Sequence, residues 1–277
     1  MKKKIIGVFL LFIIVLLCSA CDGDVTRDIR HDGFSVASKF ICDVFYPIDK
    51  KDTLYNRVKY LTNNNIIDIN GNIYEISLGQ VYENKQNCKK ANTDIVVKAI
   101  YDGKIVKSKD NKYYYLEVQN NVEKYSLIPE TDNSYELYNL LLREDDVVKA
   151  ITADSSKGIF YVLKTNGVIY SYIVSKANYN EPLKITSKTI LYDETNYGSK
   201  IIDFNYAGES NATYYKTENG LYRMRAINYE KCSKYADVTC IYRVEKDEVL
   251  DKYKDRIIAY NGKTLITDYK QVFNLSN

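Results

Sequence analysis

The sequence predicts an all-β fold made of five repeats, and two independent landmarks predict it. The pentapeptide VVKAI occurs at residues 96–100 and again at residues 147–151, a spacing of 51. Its pattern of basic, any, aliphatic returns as Lys59 and Leu61, as Lys200 and Ile202, and as Arg256 and Ile258. The second landmark is a turn dipeptide. Asn70-Gly71, Asn120-Asn121, Asn166-Gly167, Asn219-Gly220 and Tyr269-Lys270 each precede a strand-like run. Their second members step by 50, 46, 53 and 50 residues, the same period as the first landmark. Asn and Gly tolerate φ > 0, so such a dipeptide between β-rich runs marks a hairpin.

Each repeat reads as several short strands. The third is the clearest, with VVKAITAD, then GIFYVLKT, a turn at Asn166-Gly167, and VIYSYIVS. One such unit cannot cover both faces of a small twisted sheet, so neighbours must pack on it. Short strands at this period imply blades around an axis, here a five-bladed β-propeller. The last repeat holds only three runs, RIIAY, KTLIT and QVFNL. An orphan run, KFICDVFYP at residues 39–47, lies upstream of the first repeat. It is expected to supply the missing outer strand, so that an N-terminal strand closes the last blade. SYELYNLLLRE, at residues 134–144, is compatible with a helix but reads as an outer strand in this scheme. In the third repeat, Val148, Ile151, Leu163, Gly167, Ile169 and Tyr170 resemble a chromosome-condensation-regulator type repeat. That resemblance implies a propeller acting as a protein-binding scaffold, and it transfers no site residue.

The N-terminus carries a different signal. Lys2, Lys3 and Lys4 precede an apolar run at residues 5–17, followed by Cys18, Ser19, Ala20 and Cys21. A cationic start, a short apolar segment and small residues make a secretory signal. The run is shorter than the roughly 20 residues a membrane span needs. Ser19-Ala20 before Cys21 resembles the lipobox of bacterial lipoproteins. The resemblance implies a signal peptide over 1–20, a lipidated Cys21, a tether over 21–38 and a β domain over 39–277. The chain would then sit at the extracytoplasmic side of the cell membrane, held by an N-terminal lipid. A plain cleaved signal and an uncleaved anchor are the alternatives.

Export permits disulfides. Cys232 and Cys240 flank KYADVT, a turn region between two strand-like runs, and are expected to pair. Cys42 and Cys88 form the remaining candidate pair. The region after Cys21 has no CxxC, and His31 sits alone in a polar leader, so neither metal nor cofactor is expected. With 39 basic and 36 acidic residues, the chain has no global field to attract nucleic acid.

The sharpest candidate site is the set Lys59, Lys98, Lys149, Lys200 and Arg256, one at the head of each first strand. If these strands line an axis, five cations form an anion-attracting mouth. Alternatively each lysine is solvated at the rim, or pairs with an acid such as Asp203 or Asp255. Catalysis finds little support. A glycosidase needs two facing carboxyl groups, and Asp68, Asp203 and Asp255 do not share a register. The sequence has no GxSxG, P-loop or dinucleotide glycine pattern. The REDD segment at 143–146 reads as a cation site or an exposed acidic turn. Tyr113, Tyr114, Tyr115, Tyr170, Tyr172, Tyr214, Tyr215 and Tyr222 read as packing residues or as a glycan platform. The expectation is a non-catalytic binding or scaffold module for a protein or an anionic ligand. The alternative is a carbohydrate-binding or carbohydrate-processing propeller.

Overall fold

Twenty β-strands carry the described fold. The structure is a computed structural model that describes residues 34–41, 58–62, 65–78, 85–119, 122–178, 180–206, 213–226, 228–232, 234, 240–252, 257–260, 264–267 and 271–275. The first strand, β1 (Phe34–Ile41), stands alone in sequence. A first meander follows, with β2 (Val58–Leu61), β3 (Asn65–Asp68), β4 (Ile73–Leu78) and β5 (Lys85–Lys90). The second has β6 (Val97–Tyr101), β7 (Ile105–Ser108), β8 (Tyr113–Gln119) and β9 (Val122–Leu127). The third has β10 (Val147–Asp154), β11 (Ile159–Lys164), β12 (Ile169–Ser175) and β13 (Lys184–Tyr192). The fourth has β14 (Ile201–Tyr206), β15 (Thr213–Thr217), β16 (Gly220–Ala226) and β17 (Tyr242–Lys246). The chain ends with β18 (Ile257–Tyr260), β19 (Thr264–Thr267) and β20 (Gln271–Leu275).

Within each meander, neighbouring strands are antiparallel and consecutive. The last three strands gain a fourth partner from the far end of the chain, because β1 pairs antiparallel with β20, from Phe34 opposite Leu275 to Lys39 opposite Gln271. An N-terminal strand therefore completes the last unit, though it starts at Phe34, within the segment expected to be tether. The later part of the run at 39–47 lies outside the described residues, as do the signal peptide and Cys21. Parallel pairings join units: β1 to β5, and β6 to β10. The result is two eight-stranded sheets and one four-stranded sheet, each open.

Apolar residues fill the spaces between consecutive units. Tyr60, Ile67 and Ile73 of the first unit pack on Ile100 and Val106 of the second. Ala99 and Tyr101 of the second pack on Ala150, Phe160 and Val162 of the third. Ile151 and Leu163 of the third pack on Ile201, Phe204 and Tyr215 of the fourth. Strands β3 and β7 are buried at every residue, as expected for strands covered on both faces. Each fully buried Ile, Leu or Phe contributes about 1.5–3 kcal/mol of transfer free energy.

One local feature recurs in every unit. The first strand carries one extra residue relative to its partner, between Val58 and Tyr60, Val97 and Ala99, Val147 and Lys149, Ile201 and Asp203, and Ile257 and Ala259. Such a bulge kinks the strand and re-aims the side chains beyond it. The bulged residues are Lys59, Lys98, Val148, Ile202 and Ile258. This corrects the sequence alignment: the two VVKAI copies are one residue out of structural register. Lys98 lies on its bulge, whereas Lys149 follows its bulge.

Two further expectations are corrected. The segment read as an outer strand contains a helix, Tyr135–Leu142, whose Leu141 and Leu142 enter the core between the second and third units. In the second unit, the connection between second and third strands runs through Asn111, with φ 62°, and not through Asn120-Asn121. The Gly turns at 71 and 167 have a clear cause. Each Gly has positive φ, and its carbonyl accepts from the first residue of the next unit, Val97 at 2.8 Å and Ile201 at 3.3 Å. A Cβ on Gly167 would lie 2.7 Å from the Lys200 Cβ. These turns dock one unit on the next.

Candidate functional site

The first strands of four units meet at one cluster. The residues just past the bulges are Tyr60, Ala99, Lys149 and Asp203, and all four are buried. The Lys149 ammonium donates to Asp203 Oδ1 at 2.9 Å, with side-chain exposures of 6% and 10%. Those values mark a desolvated pair whose two charges depend on each other. The Tyr60 hydroxyl donates to the Val148 carbonyl at 2.6 Å, spanning from the first unit to the third. The Lys149 ammonium lies 5.7 Å from the centroids of both the Tyr60 and Phe204 rings, which adds cation–π attraction. Burial, reinforced by the Asp203 charge, holds the Tyr60 hydroxyl well above its ordinary pKa, so it stays neutral.

Lys59 borders this cluster. Its ammonium donates to the Lys98 carbonyl at 3.3 Å and lies 5.2 Å from the Tyr60 ring centroid. Burial lowers its pKa, Asp203 opposes that shift, and Lys109 adds to it. Lys216 faces Asp203 directly across the β14–β15 pair. Burial drives its pKa down to about 8 against the attraction of Asp203. A small cleft on this side is lined by Asp203, Phe204, Asn205, Tyr214 and Lys216.

The four expected cations among the described residues do not occupy one register. Lys59 and Lys98 sit on bulges, and Lys149 sits one position further. Lys200 is exposed and precedes β14. Arg256 lies outside the described residues. Lys98 forms an ion pair with the exposed Asp145 at 2.5 Å. Lys149 takes the partner that the sequence named, Asp203. Lys59 remains the cation of the described set with neither an ion pair nor full exposure.

The acids of the REDD segment hold the chain's own lysines. Buried Lys164 pairs with Glu144 and with Asp146, the latter at 3.0 Å, while Asp145 holds Lys98. Burial works against the Lys164 charge, but the hydrogen bonds it donates to Glu144 and Asp146 carry its pKa above the ordinary lysine value. Nearby, buried Lys107 donates to the Leu142 and Arg143 carbonyls at 2.8 and 3.0 Å. It satisfies the open end of the helix, a role with no sequence signature. Among the described residues, no group of His, Cys, Asp and Glu has the arrangement of a metal site.

No protein-family model matches the chain, and no curated protein matches it. The geometry therefore carries the functional reading alone. Of the tyrosines weighed as a glycan platform, Tyr113, Tyr172 and Tyr215 are buried in the core. Tyr170 stacks beneath Lys188 at 4.8 Å and Lys164 at 5.6 Å. Tyr222 packs on Tyr197 at 4.7 Å. Asp68 is a turn acid: it accepts from the Asn70 and Asn72 backbone amides, both at 2.8 Å. Cys232 and Cys240 form a disulfide. Cys88 carries no free thiol, and Cys42 lies outside the described residues. Sequence reading missed Tyr60 and Lys216. Tyr60 was visible in RVKYL as the residue after Lys59, but only the bulge turns it inward. Lys216 was visible only through its pairing across the hairpin.

Proposed function

We propose that the chain is a lipid-anchored, extracytoplasmic binding and scaffold module built as a five-bladed β-propeller. The observation that carries this reading is the junction of the first strands. Four-stranded meanders recur with the same bulge at the same place, and their first strands touch across units through Lys59–Lys98, Tyr60–Val148 and Lys149–Asp203. An axis plugged by a neutral Tyr and an internally compensated Lys–Asp pair favours a rigid frame over a reactive centre. Opposed carboxyl groups would favour hydrolysis, yet Asp203 meets lysines and Asp68 meets backbone amides. The partner is then a protein or an anionic glycan met at the outer face of the membrane. Cys21 supplies the anchor in this reading, and the short span from Cys21 to β1 holds the module close to the bilayer.

The test is metabolic labelling of cells producing the full chain with a radiolabelled fatty acid, combined with protease shaving of intact cells. The reading expects label on the wild type, none on Cys21→Ser, and cleavage by external protease. Equal labelling of both, or full protection in intact cells, would sink it.

A further inference from the structure

Lys59 holds a charge that its described surroundings do not balance. Its ammonium is part-buried and donates one hydrogen bond, to the Lys98 carbonyl. Among the described residues no carboxylate lies within ion-pair reach of it, and two N–H donors remain. Asp203 attracts it from further off, but that carboxylate already accepts from Lys149 at 2.9 Å. Asp203 also faces Lys216 across the strand pair. Lys59 and Lys149 thus both draw on one carboxylate at this junction. Lys109 adds a further positive charge at the edge, close enough to repel Lys59. Its backbone amide donates to the Val96 carbonyl at 2.9 Å, which fixes it at the end of the first strands where Lys59 and Lys98 lie. Asp145, the acid at that end, is engaged by Lys98.

Uncompensated charge in a desolvated place is costly, and a low-dielectric surround concentrates its field on whatever anion can reach it. We propose that this end of the first strands binds one small oxyanion, with Lys59 as its direct donor and Lys109 at its rim. The inference deepens the binding-module reading by naming a ligand class. It replaces a symmetric ring of five cations with a single site between the first and second units. The ligand must be small, because the Tyr60 ring occupies the space beside Lys59. It must be an acceptor of hydrogen bonds, because the unspent groups are all donors.

The probe is inorganic phosphate, titrated calorimetrically into the detergent-solubilised full chain at constant low ionic strength. The expected result is saturable binding of one phosphate per chain. Lys59→Met should weaken it at least about tenfold, the effect of losing one charge-assisted bond. Lys59→Arg should keep it within a few-fold. Absence of saturable binding, or Lys59→Met binding as well as wild type, would overturn the proposal. Should Lys59→Met fail to fold, the wild type gives a second readout. Phosphate should slow reductive methylation of Lys59 while leaving exposed Lys200 unchanged, and equal rates at Lys59 with and without phosphate would refute the site. A sugar phosphate titrated in parallel separates two sources of the same chemistry. Tighter binding than phosphate points to a phosphorylated glycan, and equal binding points to the free ion. Fatty-acid labelling does not depend on any of these results, so loss of the oxyanion site would leave the anchored module standing.

Discussion

Removing Asp203 and removing Lys149 should have unequal consequences, although the two form one ion pair. Asp203→Ala leaves the Lys149 ammonium buried and unpaired beside Lys59 and Lys216. Removing one partner of a buried pair in this way costs about 3–5 kcal/mol. Lys149→Met leaves Asp203 with Lys216 across the strand pair and Lys59 nearby. The carboxylate stays compensated, and the loss falls to that of a charged hydrogen bond, about 1.5–3 kcal/mol. The double variant Lys149→Met/Asp203→Leu removes the pair and should be more stable than Asp203→Ala, yet stay below wild type because Lys59 and Lys216 also lose the attraction of Asp203. Urea unfolding followed by circular dichroism reads all three. With a slope of about 2.5 kcal/mol per molar, a loss of 4 kcal/mol moves the midpoint by about 1.6 M. The reasoning is refuted if Lys149→Met costs as much as Asp203→Ala, or if the double variant is less stable than both single variants.

Gly167→Ala should cost more than about 2 kcal/mol, since it adds a left-handed penalty to a clash with the Lys200 Cβ; an unchanged urea midpoint would argue against docking at that turn. Cys232→Ser/Cys240→Ser should lose about 2–3 kcal/mol from reopening a short loop, and an unchanged melting temperature would show that the bridge is not stabilising. The pH profile should turn over. Lys216 has its pKa lowered to about 8 in the fold, so its protonation opposes folding below that point. Stability should rise by about 2–3 kcal/mol between pH 8 and pH 10, and Lys216→Met should abolish the rise. Burial raises the tyrosine pKa at Tyr60, at Tyr197 and at Tyr113, the last pushed up to about 12. Stability that depends on those neutral hydroxyls is complete below about pH 10 and is lost as pH climbs beyond it. The phenolate absorbance of these buried tyrosines should therefore appear only with unfolding; ionisation of all tyrosines in the folded chain near pH 10 would contradict the burial.

The repeat was legible because turns and strand composition are local. Gly71 and Gly167 mark connections that must adopt positive φ, and the alternation of VIYSYIVS reports a sheet directly. The closing strand was legible as a deficit, since the last unit lacked one run. Its start at Phe34 was not, because FSVAS is short, has two serines and directly follows the polar DVTRDIRHDG. The helix Tyr135–Leu142 was misread because its leucines serve a gap between two units, which only the packing reveals. The described cations miss a common register for a more general reason. A bulge of one residue reverses which side chain faces inward. Nothing in VVKAI states that the second copy is displaced by one, so identical pentapeptides send Lys98 to a surface acid and Lys149 to a buried one. Lys200 was matched by the same periodic count, which insertions of different length between units had already shifted.

The central claim is that the five first strands surround one axis. Contacts join the first strand of the first unit to those of the second and third, the third to the fourth, and β18 to β2. The remaining closure is between the fourth and fifth units. The most direct measurement is an experimental structure of the full chain, read for the separation of Asp203 and Ala259, the residues just past the bulges of β14 and β18. Neighbouring first strands at sheet-packing distance, within about 10 Å, are what a closed five-unit ring requires. A gap of two or more strand layers between them, or another element filling that place, would contradict it.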